Sequence, residues 1–300
     1  MDEIFKNLLD VDAVWELFDP QAIIFLFVAM VILFVGKIVN NICTPYDLNK
    51  ELVENDNKAI ALSFAGYIMA LGIIVYSVLG SGSSFVASGD LHADLLKEVI
   101  DSLIWGGIGI VLLQISRIAT DKMILFKFSN TKELVEDRNV GTGAVQCGAY
   151  IGTAFIVKAA MSGDDAVPFS TALTATLIYF IIAQIAFVLY AVVYQITTRF
   201  DVHDEIEKDN YAAGVSFGMN LAAVGIILSG YLIKSDSLPG LAVWFVISSA
   251  LLLVCRYIID KLILPGRLLD DEISEDQNWG AALVEGASVL TLAFILNTVF

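Results

Sequence analysis

The chain has 300 residues, of which 57% are hydrophobic and 17% are charged, and its mean hydropathy is +0.76. A soluble domain has about 45–50% apolar residues, so this composition indicates a membrane protein. The formal net charge of −16 excludes a nucleic-acid-binding protein, because that function requires a basic face.

The first twenty residues contain six acids and one lysine, which is the wrong charge for the start of a signal peptide. We predict that residues 1–20 are an external lead-in. The rest of the chain is expected to form two four-helix halves, residues 21–165 and residues 166–300.

Eight windows carry enough continuous apolar sequence to cross a hydrocarbon layer of about 30 Å, which takes about 20 helical residues. In chain order they are residues 21–42, 58–79, 100–120, 140–161, 172–194, 211–233, 240–262 and 279–299. Apolar runs of this length favour helices over barrel strands, whose signal is an alternation over about ten residues. We therefore predict an all-α, polytopic membrane protein with eight transmembrane helices.

An acidic motif that ends in asparagine recurs four times, at intervals of about 70 to 80 residues. Its members are Glu51, Glu54 and Asn57; Glu133, Glu136 and Asn139; Asp204, Glu207 and Asn210; and Glu272, Glu275 and Asn278. A pattern that recurs at a fixed period indicates one supersecondary unit used repeatedly. We predict four parallel-repeated hairpins, each made of a helix A, the motif and a helix B.

Small residues recur in each helix B, at four, eight and fifteen positions after the motif asparagine. They are Ala61, Ala65, Gly72, Gly143, Cys147, Ala154, Gly214, Gly218, Gly225, Ala282, Gly286 and Ala293. At 100° per residue these positions share one face of the helix, and small residues let membrane helices approach closely. We expect helices B to pack through this face in the interior, with helices A outside them.

The basic residues are divided unequally between the two sides of the predicted bundle. Thirteen of the 17 lysines and arginines lie on the side that carries the motifs, and four lie on the other side. Cytoplasmic loops carry the excess of lysine and arginine. The motifs are therefore expected to be cytoplasmic and both termini periplasmic.

The motif has two interpretations. Asparagine is a preferred N-cap residue, and acids near a helix start are stabilised by the helix dipole. Alternatively, the four segments could meet as an acidic ring, which would concentrate cations or bind a basic protein. The sequence leaves both interpretations open.

Two polar residues lie inside predicted transmembrane helices, each seven positions after a motif asparagine: Gln146 and Glu285. A central acid costs roughly 2.5–3.5 kcal/mol on insertion scales, so Glu285 should face protein or water. The two side chains could bond to each other across a pseudo-two-fold axis, or line a cation path. Lys37, Arg117 and Arg256 end helices A, where they are expected to snorkel to the interface or to pair with motif acids.

The stretch from Thr44 to Tyr67, TPYDLNKELVENDNKAIALSFAGY, resembles the bacterial inner-membrane family called domain of unknown function 350. The resemblance covers nearly the whole chain from about residue 20. It departs at the residue before the asparagine, which is Asp56 and Asp209 in two units but Arg138 and Gln277 in the others. The resemblance implies two-helix units, a bacterial inner-membrane location, and genes often beside a membrane-remodelling protein and polyamine-synthesis enzymes. It implies no established activity.

Several function classes find no support in the sequence. It has no nucleophile elbow, zincin helix or dinucleotide fingerprint, and its two histidines and three separated cysteines predict neither a metal site nor a disulfide framework. We predict no enzyme and no cofactor. The first hypothesis is a membrane scaffold or envelope-stress component that presents an acidic cytoplasmic face. The alternative is a cation channel or transporter, with polyamines among its candidate substrates, that uses the acidic mouth and Glu285.

The expected partners follow from these hypotheses. They are the lipid bilayer, a basic cytoplasmic or peripheral membrane protein, and further copies of the chain in a homo-oligomer.

Overall fold

The computed structural model describes residues 20–80, 90–163, 167–263 and 266–299. Within these ranges the chain is helical and has no strand, and its eight long helices are α1 (Pro20–Cys43), α2 (Lys58–Gly80), α3 (Leu91–Ala119), α4 (Val140–Met161), α5 (Phe169–Thr197), α6 (Tyr211–Lys234), α7 (Leu238–Ile258) and α8 (Trp279–Val299). Eight helices in these ranges are long and apolar enough to cross a membrane, which confirms the all-α polytopic prediction. The predicted lead-in lies almost wholly outside the described residues.

Four short helices each precede an even-numbered long helix, and we call them the motif helices. They are Lys50–Glu54, which is a π-helical turn, Asn130–Val135, Val202–Glu207 and Leu269–Ser274. We call α1, α3, α5 and α7 the A helices and α2, α4, α6 and α8 the B helices. Each A helix, its motif helix and the following B helix form one unit.

The four B helices lie in a row in the order α2, α4, α6, α8, each packed along the next. Gly143, near the start of α4, meets Ala59 near the start of α2, and Gly225 midway along α6 meets Gly152 midway along α4. Neighbouring B helices therefore run parallel and in register. The middle helices α4 and α6 are the most buried spans of the described chain. The motif ends of the B helices thus follow one another along a row rather than closing a ring.

The B helices approach until their backbones touch. A Cβ atom at Gly148 would lie 1.9 Å from the carbonyl oxygen of Gly218, and one at Gly214 would lie 2.3 Å from the carbonyl oxygen of Gly141. Real Cβ atoms do not come this close to backbone, so these contacts require glycine. Backbone contact of this kind leaves no room for a water-filled path between these helices.

Candidate functional site

Each motif asparagine caps the B helix that follows it. The Oδ1 atom accepts a hydrogen bond from the backbone N–H three residues later, at 3.2 Å for Asn57, 2.9 Å for Asn139, and 3.1 Å for both Asn210 and Asn278. The bond satisfies one of the N–H groups that a helix start leaves without an internal partner. Capping is therefore one role of the motif in all four units.

The asparagine amide also binds the first acid of its own motif. The Nδ2 atom donates to the carboxylate of Glu51 at 3.0 Å, Glu133 at 2.8 Å, Glu205 at 3.0 Å and Glu272 at 2.8 Å. In the third unit this acid is Glu205, whereas the sequence pattern selected Asp204. The third motif is one residue shorter between acid and asparagine, so the regular spacing pointed to the wrong neighbour. Asp204 lies instead on the surface, 3.2 Å from Lys127.

The second Nδ2 hydrogen of the amide connects one unit to the next. Asn57 donates to the carbonyl of Leu134 at 2.8 Å, Asn139 to Ile206 at 2.5 Å, and Asn210 to Ile273 at 2.8 Å. Each acceptor lies on the motif helix of the following unit, so all four motifs lie at the same end of the bundle, which we call the motif end. Both N–H donors of these three amides are thus in use, and each oxygen accepts one bond, which makes three of the four hydrogen bonds that an amide can form.

The residue before each motif asparagine has a left-handed backbone. The φ angles are 46° at Asp56, 53° at Arg138, 62° at Asp209 and 48° at Gln277. Aspartate and asparagine tolerate this region better than long side chains do. Arg138 and Gln277, where the first and third units have aspartate, therefore hold a left-handed backbone at a greater cost than Asp56 and Asp209 do.

Arg138→Asn should raise the free energy of unfolding by about 1 kcal/mol, because it relieves left-handed strain. Thermal unfolding in detergent measures the change. Asp209→Asn is the matched control, since its residue already suits the conformation, and it should change stability little. Equal effects at the two positions would contradict this explanation.

The two acids of each motif have different environments. The first acids are buried or partly buried, whereas Glu54, Glu136, Glu207 and Glu275 are all exposed. Burial raises the pKa of the Glu133 carboxyl above its ordinary value, and the hydrogen bond from Asn139 acts in the opposite direction. The first acid therefore has a structural role, and the second acid presents its charge to solvent.

A buried ion pair joins α7 and α8 in the second half. The Nε atom of Arg256 lies 3.1 Å from a carboxylate oxygen of Glu285, which has no exposed surface. The Nη2 atom of Arg256 donates to Asp270 at 2.8 Å, and its guanidinium lies 4.9 Å from the centre of the Tyr194 ring. Only 8% of Arg256 is exposed, so the expectation that it snorkels was wrong.

Helix α6 completes the hydrogen bonds of the Glu285 carboxylate. The hydroxyl of Ser216 donates to one oxygen and the amide of Asn220 donates to the other at 3.1 Å. Tyr190 in turn donates to the Asn220 carbonyl oxygen at 3.0 Å. A buried charge is tolerated when it is both paired and hydrogen-bonded, and Glu285 meets both conditions.

The first half has a neutral counterpart of this network. Gln146 accepts a hydrogen bond from Ser63 at 2.6 Å and donates to Asp121 at 3.1 Å. Arg117, at the position of Arg256, lies 4.0 Å from Asp121. Gln146 and Glu285 thus bond within their own halves rather than to each other. Within the described ranges, no three His, Cys, Asp or Glu side chains are grouped so that they could hold a metal ion.

Comparison with known proteins places this architecture in a family. A family model described as "Domain of Unknown Function (DUF350)" matches residues 10–161 and 168–300. The chain belongs to the DUF350 family. The UPF0719 transmembrane protein of Aquifex aeolicus (strain VF5) is 22% identical over 255 residues, covering 83% of this chain and 88% of the relative. No solved structure matches the chain. The eight apolar helices and this relative make the DUF350 chain a multi-pass membrane protein.

Proposed function

We propose that this DUF350 protein is a scaffold of the bacterial inner membrane that presents an acidic strip to a basic peripheral membrane protein. The observation that supports the proposal is that the two acids of each motif have different environments. The first acid binds the asparagine, and the second acid is exposed. The acidic strip consists of Glu54, Glu136, Glu207 and Glu275.

The connection between units aligns these charges. The motif helices are joined in sequence by the asparagine bonds, so the exposed acids follow one another along the motif end. Glu54, Glu136 and Glu207 form no salt bridge within the described part of the chain, and Glu275 lies 3.8 Å from Arg267. A row of carboxylates of which most lack a salt bridge is complementary to a basic helix or segment.

The orientation belongs to the proposal. Thirteen of the 17 lysines and arginines lie on the side of the motifs, and the positive-inside rule then favours a cytoplasmic motif end with both termini periplasmic. A peripheral partner would meet the acidic strip from the cytoplasm.

Two observations favour a scaffold over the cation channel that the sequence also suggested. The B helices touch backbone to backbone, as at Gly148 and Gly218. The carboxylate of Glu285, which would have to attract a cation inside the membrane, is neutralised by Arg256.

Replacing the acidic strip with glutamines (Glu54→Gln, Glu136→Gln, Glu207→Gln and Glu275→Gln) should weaken binding of the peripheral partner by about four-fold or more. Each exposed ion pair contributes about 0.2–1 kcal/mol, and four would be lost. The measurement is quantitative recovery of peripheral proteins crosslinked to the chain in native membranes, at low and high salt.

A control variant removes charge from the other side of the membrane. Glu98→Gln/Asp236→Asn should bind as wild type does, whereas Glu136→Gln/Glu207→Gln should bind less. Undiminished recovery with the four-fold variant would refute the scaffold proposal.

A further inference from the structure

The glycine contacts between successive B helices join the same two faces. The residue nine positions after one motif asparagine meets the residue eight positions after the next. These pairs are Gly66 with Cys147, Gly148 with Gly218, and Met219 with Gly286. We call the face of a B helix that carries the residue nine positions after the asparagine its front face. The face that carries the residue eight positions after the asparagine is its back face. The chain thus contains one interface three times.

The front face of the last B helix is uncovered. On α8, Ala287 and Thr291 are exposed, and 42% of Leu283 is exposed. A shallow groove of about 430 Å³ runs along this face, lined by Val284, Ala287, Ser288, Thr291, Leu292 and Ile295. The equivalent front faces of α2, α4 and α6 are covered by the next unit.

The back face of the first B helix is uncovered as well. Ala61, Ala65 and Gly72 of α2 are exposed, whereas Gly214, Gly218 and Gly225 at the same positions of α6 are buried. A Cβ atom at Gly72 would have nothing within 4 Å. The described part of the chain therefore leaves one front face and one back face uncovered, and these are the two halves of the repeated interface.

The hydrogen bonds at the motif end also lack a partner at the last unit. Asn57, Asn139 and Asn210 are at most 1% exposed, but Asn278 is exposed and binds no carbonyl of another unit within the described residues. The other three asparagines donate to a backbone carbonyl on the motif helix of the following unit, as Asn57 does to Leu134. The residue of the first motif helix that corresponds to Leu134 is Leu52.

The first motif helix also carries an unusually exposed apolar side chain. Val53 is 82% exposed, whereas Val135, at the same position of the second unit, packs partly buried beside Ala59 and Ile60 of α2. Val53 lies outside the transmembrane helices, so the lipid chains that cover exposed residues of the spans do not cover it. A single exposed apolar residue is ordinary by itself, but the equivalent Val135 is covered by the preceding B helix, so Val53 marks the position where that neighbour is absent.

We propose that a second copy of the chain fills this gap, with the front face of α8 in one copy packed against the back face of α2 in the next. Asn278 then donates to the carbonyl of Leu52 in the neighbouring copy, and Val53 of that copy packs against the start of α8. The second copy is the expected occupant because the faces equivalent to these two pack against each other between successive B helices of the chain.

The contact is compatible with the membrane. Parallel B helices keep every copy the same way up, so a fourth contact of the same kind needs no inverted chain. Since the two faces differ, the assembly is head-to-tail, and it continues until it closes into a ring or ends as a row.

Disulfide crosslinking between the back face of α2 and the front face of α8 tests the proposal. Ala65 lies eight positions after Asn57, and Ala287 lies nine positions after Asn278. In a background of Cys43→Ser, Cys147→Ala and Cys255→Ala, one protein carries Ala65→Cys and another carries Ala287→Cys. Oxidation of native membranes in which both are expressed should give a crosslinked dimer, and neither protein alone should give one. The variant with both cysteines should give dimers and larger products.

Each other result overturns the proposal. A dimer from either single-cysteine protein would mean a symmetric contact between like faces. A disulfide within one chain of the double variant would mean that the row closes on itself. An absence of crosslinks, with the folded protein present in the membrane, would leave lipid or another segment of the chain on these faces.

Substitutions at Val53 test the contact at the motif end independently, and a substitution at Ile42 is their control. Val53→Ser should reduce the crosslinked dimer, Val53→Ile should preserve it, and Ile42→Ser, which also replaces a highly exposed apolar residue, should leave it unchanged. Thermal unfolding of the three variants should match the parent protein, because neither side chain packs inside one copy. An unchanged crosslink with Val53→Ser would count against the contact at the motif end.

Discussion

Arg256→Leu should destabilise the protein by about 3–5 kcal/mol, because it leaves the Glu285 carboxylate buried without its counter-charge. Glu285 has no exposed surface and lies 3.1 Å from Arg256. The hydrogen bonds from Ser216 and Asn220 remain, but they do not neutralise the charge. Reversible unfolding in bicelles or detergent measures the loss.

Two variants separate the ion pair from the size of the side chain. Arg117→Leu removes the equivalent arginine of the first half, whose partner Asp121 is 4.0 Å away and 23% exposed and which also donates to the Cys43 carbonyl at 2.7 Å. It should cost less than Arg256→Leu, because the carboxylate that it leaves without a counter-charge is partly exposed. Arg256→Leu/Glu285→Gln installs the neutral residue found at Gln146, and it should regain most of the lost stability. A double variant no more stable than Arg256→Leu would show that the charge is not the cause.

Gly148→Val should cost at least about 3 kcal/mol, at the upper end of overpacking penalties. The Cβ atom alone would lie 1.9 Å from the carbonyl oxygen of Gly218 and 2.3 Å from its carbonyl carbon. Backbone cannot rotate out of the way as a side chain can, so α4 and α6 would have to separate. The yield of folded protein in size-exclusion chromatography and its unfolding temperature report the effect.

Gly107→Val is the matched control for this substitution. It introduces the same β-branched residue into a helix, but a Cβ atom at Gly107 would have nothing within 4 Å. Its folded yield should stay close to that of the wild type. Similar losses at the two glycines would mean that helix propensity, rather than the contact between α4 and α6, explains the result.

The positions of the helices follow from hydropathy, but their ends do not. The third window begins at residue 100, whereas α3 begins at Leu91, nine residues earlier. The added turns carry charged residues that lower the hydropathy of a window, and they are held in a helix by the side-chain cap of Asp90. A hydropathy window reports contact with lipid, and it does not detect where a helix continues into the polar interface.

The partners of the site residues were harder to predict. Regular spacing selected Asp204 rather than Glu205, because one missing residue in a short loop leaves no trace in composition. The small-residue stripe identified a packing face, but it did not show that the helices form a row. Arg256 and Glu285 did carry a usable signal, since this basic residue ends the helix immediately before the one that contains the buried acid.

That order along the chain affects how the protein is made. Arg256 leaves the ribosome 29 residues before Glu285, and at about 5–20 residues per second the interval lasts on the order of seconds. The positive charge of the penultimate span therefore enters the insertion machinery first, and the carboxylate arrives next to a cation that is already present. The order of synthesis therefore lets Glu285 pair with Arg256 as it enters the membrane, so the acid need not pass into lipid as an isolated anion.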